Sequence, residues 1–382
     1  MILTPGFVPF RKRAGHSQAN PRIHPLSVLM QTQRFEPLPL PLGEPPYHYD
    51  LETSLPGIGA SSTELGKIIF HVVGDTGGVK NPDHQLAVAA AMVDDLSLST
   101  DRRPVFFFHI GDVVYFNGQI QDYYDQFYEP YTNYTAPIIS IPGNHDGDPI
   151  NASQTSLDGW VAYFMQATPH VDPNSRDAPR VTMSLPNVYF TLNCPFVTIV
   201  GMYTNVPEGG SIDSVQQQWL TNEFATAPAD KALIVALHHP IYSFDDFHSG
   251  SARMATAVQL AINDSKRLPN LVMTAHVHNY QRIERAVSDT ITLPFLVAGH
   301  GGYYNLHKLN SSVGTTDSST GAHLVAADDR HWGYTTLTAD ANNISGTMTT
   351  VPNAGETTAP PTDSFSYPAA AQYLPDGAVA TL

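Results

Sequence analysis

Three apolar, β-branched runs in the first half of the chain stop abruptly on a small residue followed by a polar one. GKIIFHVVGD ends at Gly74-Asp75, RPVFFFHIGD at Gly111-Asp112, and APIISIPGNHD reaches Gly143-Asn144. An apolar run of about 4–8 residues bounded by turn signals reads as a strand buried on both faces. Glycine at each end permits a sharp turn and a close backbone approach. Between the first two runs, Leu86, Ala89, Ala90, Val93 and Leu96 recur at helical spacing. After the second, an aromatic-rich helix is expected around Tyr123 to Tyr128.

The rest of the chain continues in the same way. NVYFTLNCPFVTIVGMY reads as two adjacent strands and SVQQQWLTNEF as a helix. ALIVALHHP, NLVMTAHVH and TLPFLVAGH read as strands ending in histidine-bearing loops, and GYTTLTADANNISGTMTT as a hairpin turning at Ala-Asn-Asn. Strands alternating with helices, together with adjacent strand pairs, predict an α/β fold of the α+β kind. The expected architecture is a four-layer αββα sandwich, with helices outside two packed mixed β-sheets. Residues 1–62 and 351–382 are rich in Pro and lack sustained periodicity, so an irregular arm and tail are expected to flank a domain at 63–350.

Composition limits what the polar residues can do. Cys194 is the single cysteine, which excludes an intrachain disulfide and any cysteine-based zinc or iron–sulfur site. It lies in an apolar run, where an inert buried thiol is expected. A bound metal must therefore use His, Asp, Asn and Tyr, and there are 17 His. The formal charge of −16, from 19 Lys+Arg against 35 Asp+Glu, argues against a nucleic-acid polymer as partner. No apolar run approaches the roughly 20 residues of a membrane span. Arg11, Lys12 and Arg13 follow the first apolar residues, the reverse of a secretory signal, so a solvated arm and a cytoplasmic location are expected. On that reading Asn133-Tyr134-Thr135 and Asn310-Ser311-Ser312 are chance matches to a glycosylation triplet.

Asp75, Asp112, Asn144, His238 and His276 all follow buried strands at their C-terminal ends, where open α/β sheets form ligand crevices. Five segments carry the pattern: Gly74-Asp75-Thr76-Gly77, Gly111-Asp112-Val113-Val114-Tyr115, Gly143-Asn144-His145-Asp146, His238-His239-Pro240 and His276-Val277-His278. Carboxylates, an amide oxygen, imidazoles and a phenolate make a mixed donor set for divalent or trivalent first-row metals. Two ions about 3.5–4 Å apart would clamp the attacking and leaving oxygens of a phosphoryl transfer. His239 alternates away from His238 and reads as structural, although the two are interchangeable at this stage. His71 and His109 lie inside strands and read as core or supporting residues.

The order and content of these blocks resemble the calcineurin-like metallophosphoesterases over about residues 66–302. Tyr115, three residues after Asp112, resembles specifically the purple acid phosphatase branch. That branch uses Gly-Asp-x-Gly, Gly-Asp-x-x-Tyr, Gly-Asn-His-Asp/Glu, a lone His after a strand, and Gly-His-x-His. Gln216, Trp219 and Leu220 also resemble a helix of those enzymes. The resemblance implies that Asp75, Tyr115 and His278 hold a first metal, Fe(3+), and that Asp112 bridges. Asn144, His238 and His276 would hold a second, Zn(2+), Mn(2+) or Fe(2+). A phenol with a pKa near 10 ligates as phenolate only beside a strong Lewis acid.

The implied activity is hydrolysis of small phosphomonoesters by a metal-bound hydroxide, with His145 offsetting charge on the phosphoryl oxygens and Asp146 as its partner. His248, ten residues after His238, would assist the leaving group, and His300 and His239 would line the pocket. A phosphodiesterase of the same superfamily is the alternative. A metal-binding module without turnover is the reading from another class, and the intact His145 speaks against it. Ala275 stands where the family has Gly, which is expected to shift that loop without removing a ligand.

Overall fold

Runs that are apolar on both faces must lie in sheet interiors, and here they do. The computed structural model describes residues 34–288, 291–353, 355–356 and 362–382. The basic trio at 11–13 lies outside the described residues. In chain order the elements are β1 (His48–Asp50), α1 (Leu51–Ser54), α2 (Ile58–Leu65), β2 (Lys67–Val73), α3 (Asp83–Asp95), β3 (Phe106–Ile110), β4 (Ile138–Ile141), α4 (Asn144–Gly147), α5 (Asp158–Phe164), β5 (Phe190–Asn193) and β6 (Val197–Gly201). Then follow α6 (Ser214–Thr226), β7 (Ala232–Ala236), α7 (Ala252–Ser265), β8 (Arg267–Leu268), β9 (Leu271–Thr274), β10 (Tyr280–Ala286), β11 (Thr292–Ala298), β12 (His323–Asp328), β13 (Gly333–Asp340), β14 (Asn343–Thr350), β15 (Asp363–Pro368) and β16 (Gln372–Tyr373).

Two large mixed sheets result, in the orders β1-β5-β6-β7-β9-β11-β10-β12 and β15-β14-β13-β2-β3-β4. In the second, β2, β3 and β4 run parallel, and in the first β6, β7, β9 and β11 do. Parallel pairing aligns strand ends: Val73 lies opposite His109, and Ile110 opposite Ile141. The loops bearing Asp75, Asp112 and Asn144 thus leave one sheet at one level. Those bearing His238 and His276 leave the other sheet after β7 and β9. The sheets press face to face at Gly201 of β6, where an added Cβ would fall 2.7 Å from Ile141 and 3.7 Å from Phe108. The expected αββα sandwich is observed. Among the described residues no helix is long and apolar enough to cross a membrane.

Two expectations change in detail. The helix expected around 123–128 forms, but as a π-helix at Tyr124–Tyr128 that follows a 3-10 turn at Ile120–Asp122. Widened turns of this kind occur often at functional sites. Here Gln126 faces the site, accepting from the Tyr115 backbone N–H at 2.8 Å and donating to its carbonyl at 2.7 Å. The second correction concerns the terminal segments, which are not irregular throughout. Residues His48–Asp50 pair in parallel with β5, and Asp363–Pro368 cover the edge of β14. An uncovered edge would expose a row of unpaired backbone groups. The late hairpin forms as expected, turning at Ala341-Asn342 with the Asp340 carboxylate accepting from the Asn342 and Asn343 N–H groups.

The tail strand also clips the two sheets together. Arg282 of β10 donates from Nε to Asp363 Oδ2 at 2.7 Å and from Nη2 to Oδ1 at 3.0 Å, and Tyr280 Oη donates to Oδ2 at 2.8 Å. Bidentate pairs of this kind are strong and geometrically specific. Removing the carboxylate leaves a largely buried guanidinium with only the Tyr367 hydroxyl at 3.2 Å and the Glu284 carboxylate at 3.7 Å. Asp363→Ala is therefore expected to lower the free energy of unfolding by about 2 kcal/mol, read as a reduced urea midpoint at unchanged slope.

Candidate metal centre

The strand ends converge because three non-glycine residues adopt left-handed backbone conformations. The φ angles are 55° at Asp75, 55° at Asp112 and 67° at His276. Such conformations cost roughly 1–3 kcal/mol each and cluster at functional sites. Glycine next to them makes room. A Cβ on Gly143 would lie 2.0 Å from Asp112 Oδ1, and one on Gly74 would lie 2.5 Å from Ala275 Cβ. Ala275 is accommodated against that glycine, and the left-handed residue of the loop is His276 rather than Ala275.

Two groups of donors result. In the first, Tyr115 Oη donates to Asp75 Oδ1 at 2.8 Å and lies 3.3 Å from His278 Nε2, which is 3.5 Å from Asp75 Oδ1. In the second, His276 Nδ1 lies 3.0 Å from Asn144 Oδ1, and His238 Nε2 lies 3.3 Å from Asp112 Oδ2. Asp112 connects them, since donor atoms of Asp75, Asp112 and His238 all lie within 4.8 Å of one another. Donors held about 2.0–2.2 Å from a common ion sit roughly 2.9–3.6 Å apart in tetrahedral or octahedral geometry. The observed spacings fit. Moreover, Asp112 Oδ2 and His238 Nε2 are buried without a hydrogen-bond partner, a costly arrangement that a bound cation relieves.

Ring orientations are fixed from behind. His238 Nδ1 is 2.8 Å from the Ile110 carbonyl and His278 Nδ1 is 3.1 Å from that of Asn305, so in each ring Nδ1–H donates backward and Nε2 faces the donors. Such outward bonds set the tautomer of a ligating imidazole. Electrostatics agree with a cation sink. Burial pushes Asp75 up to about 6 and His276 down to about 4. Burial opposes the ionised form of Asp112 as well, but His238 and His145 outweigh it and hold this carboxyl well below the usual range. Burial and the neighbouring Asp112 and Asp75 push the Tyr115 phenol well above 10, so only a strong Lewis acid would make it a phenolate. For His238, burial is outweighed by Asp112, raising it to about 9; a proton there occupies the place of a metal cation.

The remaining sequence-predicted residues divide. His145 stands at the rim of the first group, its ring 4.6 Å from that of Tyr115. Its orienting contact is the Phe116 carbonyl, 2.9 Å from Nδ1, and not the Asp146 side chain. Asp146 instead accepts from the N–H groups of Gly143, Val113 and Val114, fastening the Asn144 loop to the Asp112 loop. His248 is brought in, its ring 4.4 Å from that of His276. His239 forms the wall behind, 4.4 Å from His276, with Nδ1 2.7 Å from Thr204 Oγ1. His300 is fully buried beside Tyr280 and is not among the donors.

Two neighbours escaped the sequence reading. Tyr303 covers the first group, its ring 4.2 Å from Tyr115 and 4.3 Å from His278. The strand-end signal AGHGGYY contains it, three residues beyond His300. Glu208 reaches the second group from the loop after β6, 3.1 Å from His248 Nδ1 and 3.6 Å from His276 Nε2. No motif flagged it, because it stands seven residues past the strand. The hydrogen bond to His248 and the neighbouring His276 imidazole hold its carboxyl well below the usual range.

Among solved structures, a purple acid phosphatase from yellow lupin (Lupinus luteus) seeds is similar at 18% identity and TM-score 0.56, covering 78% of this chain and 53% of that one. The chain thus spans about half the length of the lupin protein. GAP50, the anchor in the inner membrane complex of Plasmodium, is similar at 13% identity and TM-score 0.54, covering 80% and 89%. PhoD is similar at 14% identity and TM-score 0.52, covering 82% and 72%. These likenesses are of fold. No curated protein sequence matches the chain. The sequence model of the calcineurin-like phosphoesterases matches residues 68–280, more than half of the chain and inclusive of all seven candidate donors. With that match the fold implies a dinuclear metal centre, and the chain belongs to the calcineurin-like phosphoesterase family.

Proposed function

We propose that this protein is a dinuclear metal-dependent phosphatase that hydrolyses phosphomonoesters in the manner of the purple acid phosphatases. The observation that carries the reading is the phenol of Tyr115, turned into the donor set 2.8 Å from Asp75 Oδ1 and 3.3 Å from His278 Nε2. Asp75, Tyr115 and His278 would hold ferric iron, with Asp112 shared. Asn144, His238 and His276 would hold zinc, manganese or ferrous iron. When bound, such a pair supplies Lewis acidity and activation of water.

The chain's own residues do the rest. His145, oriented at Nδ1 by the Phe116 carbonyl, would in its imidazolium form donate from Nε2 to a phosphoryl oxygen as charge develops there. His248, held at Nδ1 by Glu208, would in its imidazolium form carry a second N–H at Nε2 and deliver that proton to the leaving oxygen as its bond to phosphorus breaks. Asp146 keeps the loops of Asp112 and Asn144 in register. One observation favours the alternative, a phosphodiesterase: the Glu208 carboxylate beside His276 repels a doubly charged monoester more than a singly charged diester.

Metal analysis and a visible spectrum of the purified protein test the centre. Iron together with a broad charge-transfer band is expected, and Tyr115→Phe should lose the band while keeping the fold. A colourless, iron-free protein that hydrolyses no aryl phosphate after reconstitution would sink the reading. Asp112→Asn is expected to cost turnover at least about 100-fold, since loss of a shared ligand exceeds the 10–100-fold typical of supporting groups. For substrate class, kcat/KM on 4-nitrophenyl phosphate should exceed that on bis(4-nitrophenyl) phosphate by at least about 10-fold, a gap of about 1.4 kcal/mol in transition-state binding. The reverse order would establish the diesterase.

A further inference from the structure

The side chain of Glu208 is about half exposed (48%), and a carboxylate so placed ordinarily turns to water. This one turns inward, toward two imidazoles. Its loop has little freedom to do otherwise. Gln216 accepts from the Tyr203 N–H at 3.0 Å and donates to the Tyr203 carbonyl at 2.9 Å. The Ser211 N–H donates to the Thr204 carbonyl at 2.8 Å, and the Gly210 N–H to that of Pro207 at 2.7 Å. Ser251 donates its hydroxyl to the Gly209 carbonyl. Asn205 accepts from the Glu36 N–H at 2.8 Å and donates to the Glu36 carbonyl at 2.9 Å. Gly209 and Gly210 follow at φ 74° and 76°, a conformation that favours glycine, and a Cβ on Gly210 would press His239 at 3.1 Å.

The two rings divide their nitrogens around this carboxylate. His276 turns Nδ1 to Asn144 Oδ1 at 3.0 Å, the side of the second donor group. Its Nε2 is buried, makes no hydrogen bond, and faces Glu208 Oε1 at 3.6 Å. His248 turns Nδ1 to the same oxygen at 3.1 Å. A ligating histidine characteristically donates its other ring N–H to a carboxylate, which fixes tautomer and ring orientation and strengthens the ligand.

We propose that Glu208 is a positioning residue shared by His276 and His248. By accepting from His248 Nδ1 and facing His276 Nε2 at 3.6 Å, it keeps the proton of His276 on Nε2, leaving Nδ1 with its lone pair toward the second ion, and orients the His248 imidazolium with its Nε2–H toward the substrate. One oxygen thereby couples retention of the second ion to placement of the pocket imidazole. The proposal rests on the metallophosphatase reading above and adds a residue to it.

The test uses the full chain loaded with zinc and challenged with a chromogenic chelator, comparing wild type, Glu208→Ala and Glu208→Gln. The weaker zinc site is expected to lose affinity about 10-fold in Glu208→Ala. Glu208→Gln, whose amide oxygen still accepts an N–H, should recover part of that loss. In the loaded protein, Glu208→Ala should lose at least about 10-fold more kcat on an alkyl phosphate than on 4-nitrophenyl phosphate, because the poor leaving group depends on a placed proton donor. Unchanged zinc affinity in both variants overturns the proposal. So does an equal loss on both esters accompanied by a lowered Tm, which would mark a merely structural role. If loaded wild type hydrolyses no phosphate ester, the phosphatase reading fails, while the zinc competition still decides the role of Glu208.

Discussion

Everything in the site depends on a seam where the ends of two sheets are stitched together by hydrogen bonds. His238, after β7 of one sheet, donates from Nδ1 to the Ile110 carbonyl at the end of β3 in the other. The Gly74 N–H donates to the Ala298 carbonyl at 2.9 Å, and the His276 N–H to Asp75 Oδ2 at 2.7 Å. Each of these bonds crosses from sheet to sheet. A shift of one sheet against the other would separate the donor groups before it exposed any core.

That seam explains why so much polarity is tolerated in a buried place. Asp75, Asp112, Tyr115 and His238 are at most 1% exposed. Their burial without a cation is unfavourable, and three left-handed residues add conformational cost. Packing of Phe106, Phe107, Phe108 and Ile110 beneath them supplies the opposing stabilisation. The site is therefore preorganised, with ring tautomers and carboxylate directions set by the scaffold. A bound ion need not order them.

How much was legible from residues alone follows from the range of the interactions. Asp75, Asp112, Asn144, His238 and His276 were readable as candidates because each sits at a short offset from an apolar run, and a buried strand can end in only a few ways; the set of seven, with Tyr115 and His278, came from the family resemblance. Glu208 was not readable, since its meaning comes from a loop clamped by Glu36 and Ser251, distant in sequence, as well as by the nearby Gln216. Tyr303 lay in a segment already singled out, but nothing local says which residue after a strand turns toward the site. The same ambiguity placed His300 in the pocket. The strands at 48–50 and 363–368 were masked by short length and polar alternation, as befits edges whose pairing is decided by a neighbour's needs. The π turn at 124–128 arises from Gln126 binding the Tyr115 backbone, a constraint that helical periodicity cannot express.

The pairing of β2 with β13 bears on how the chain reaches this state. Val72 lies opposite Thr335, so the strand that delivers Asp75 receives its second neighbour only when most of the chain has been synthesised. Contacts so far apart in sequence slow folding, and until they form one edge of β2 offers unsatisfied amide groups to any passing strand. A nascent chain halted before residue 333 carries all five loops of the site but lacks the strand that closes that edge. An unpaired β2 edge in such a fragment is the kind of surface that favours association between chains before folding is complete.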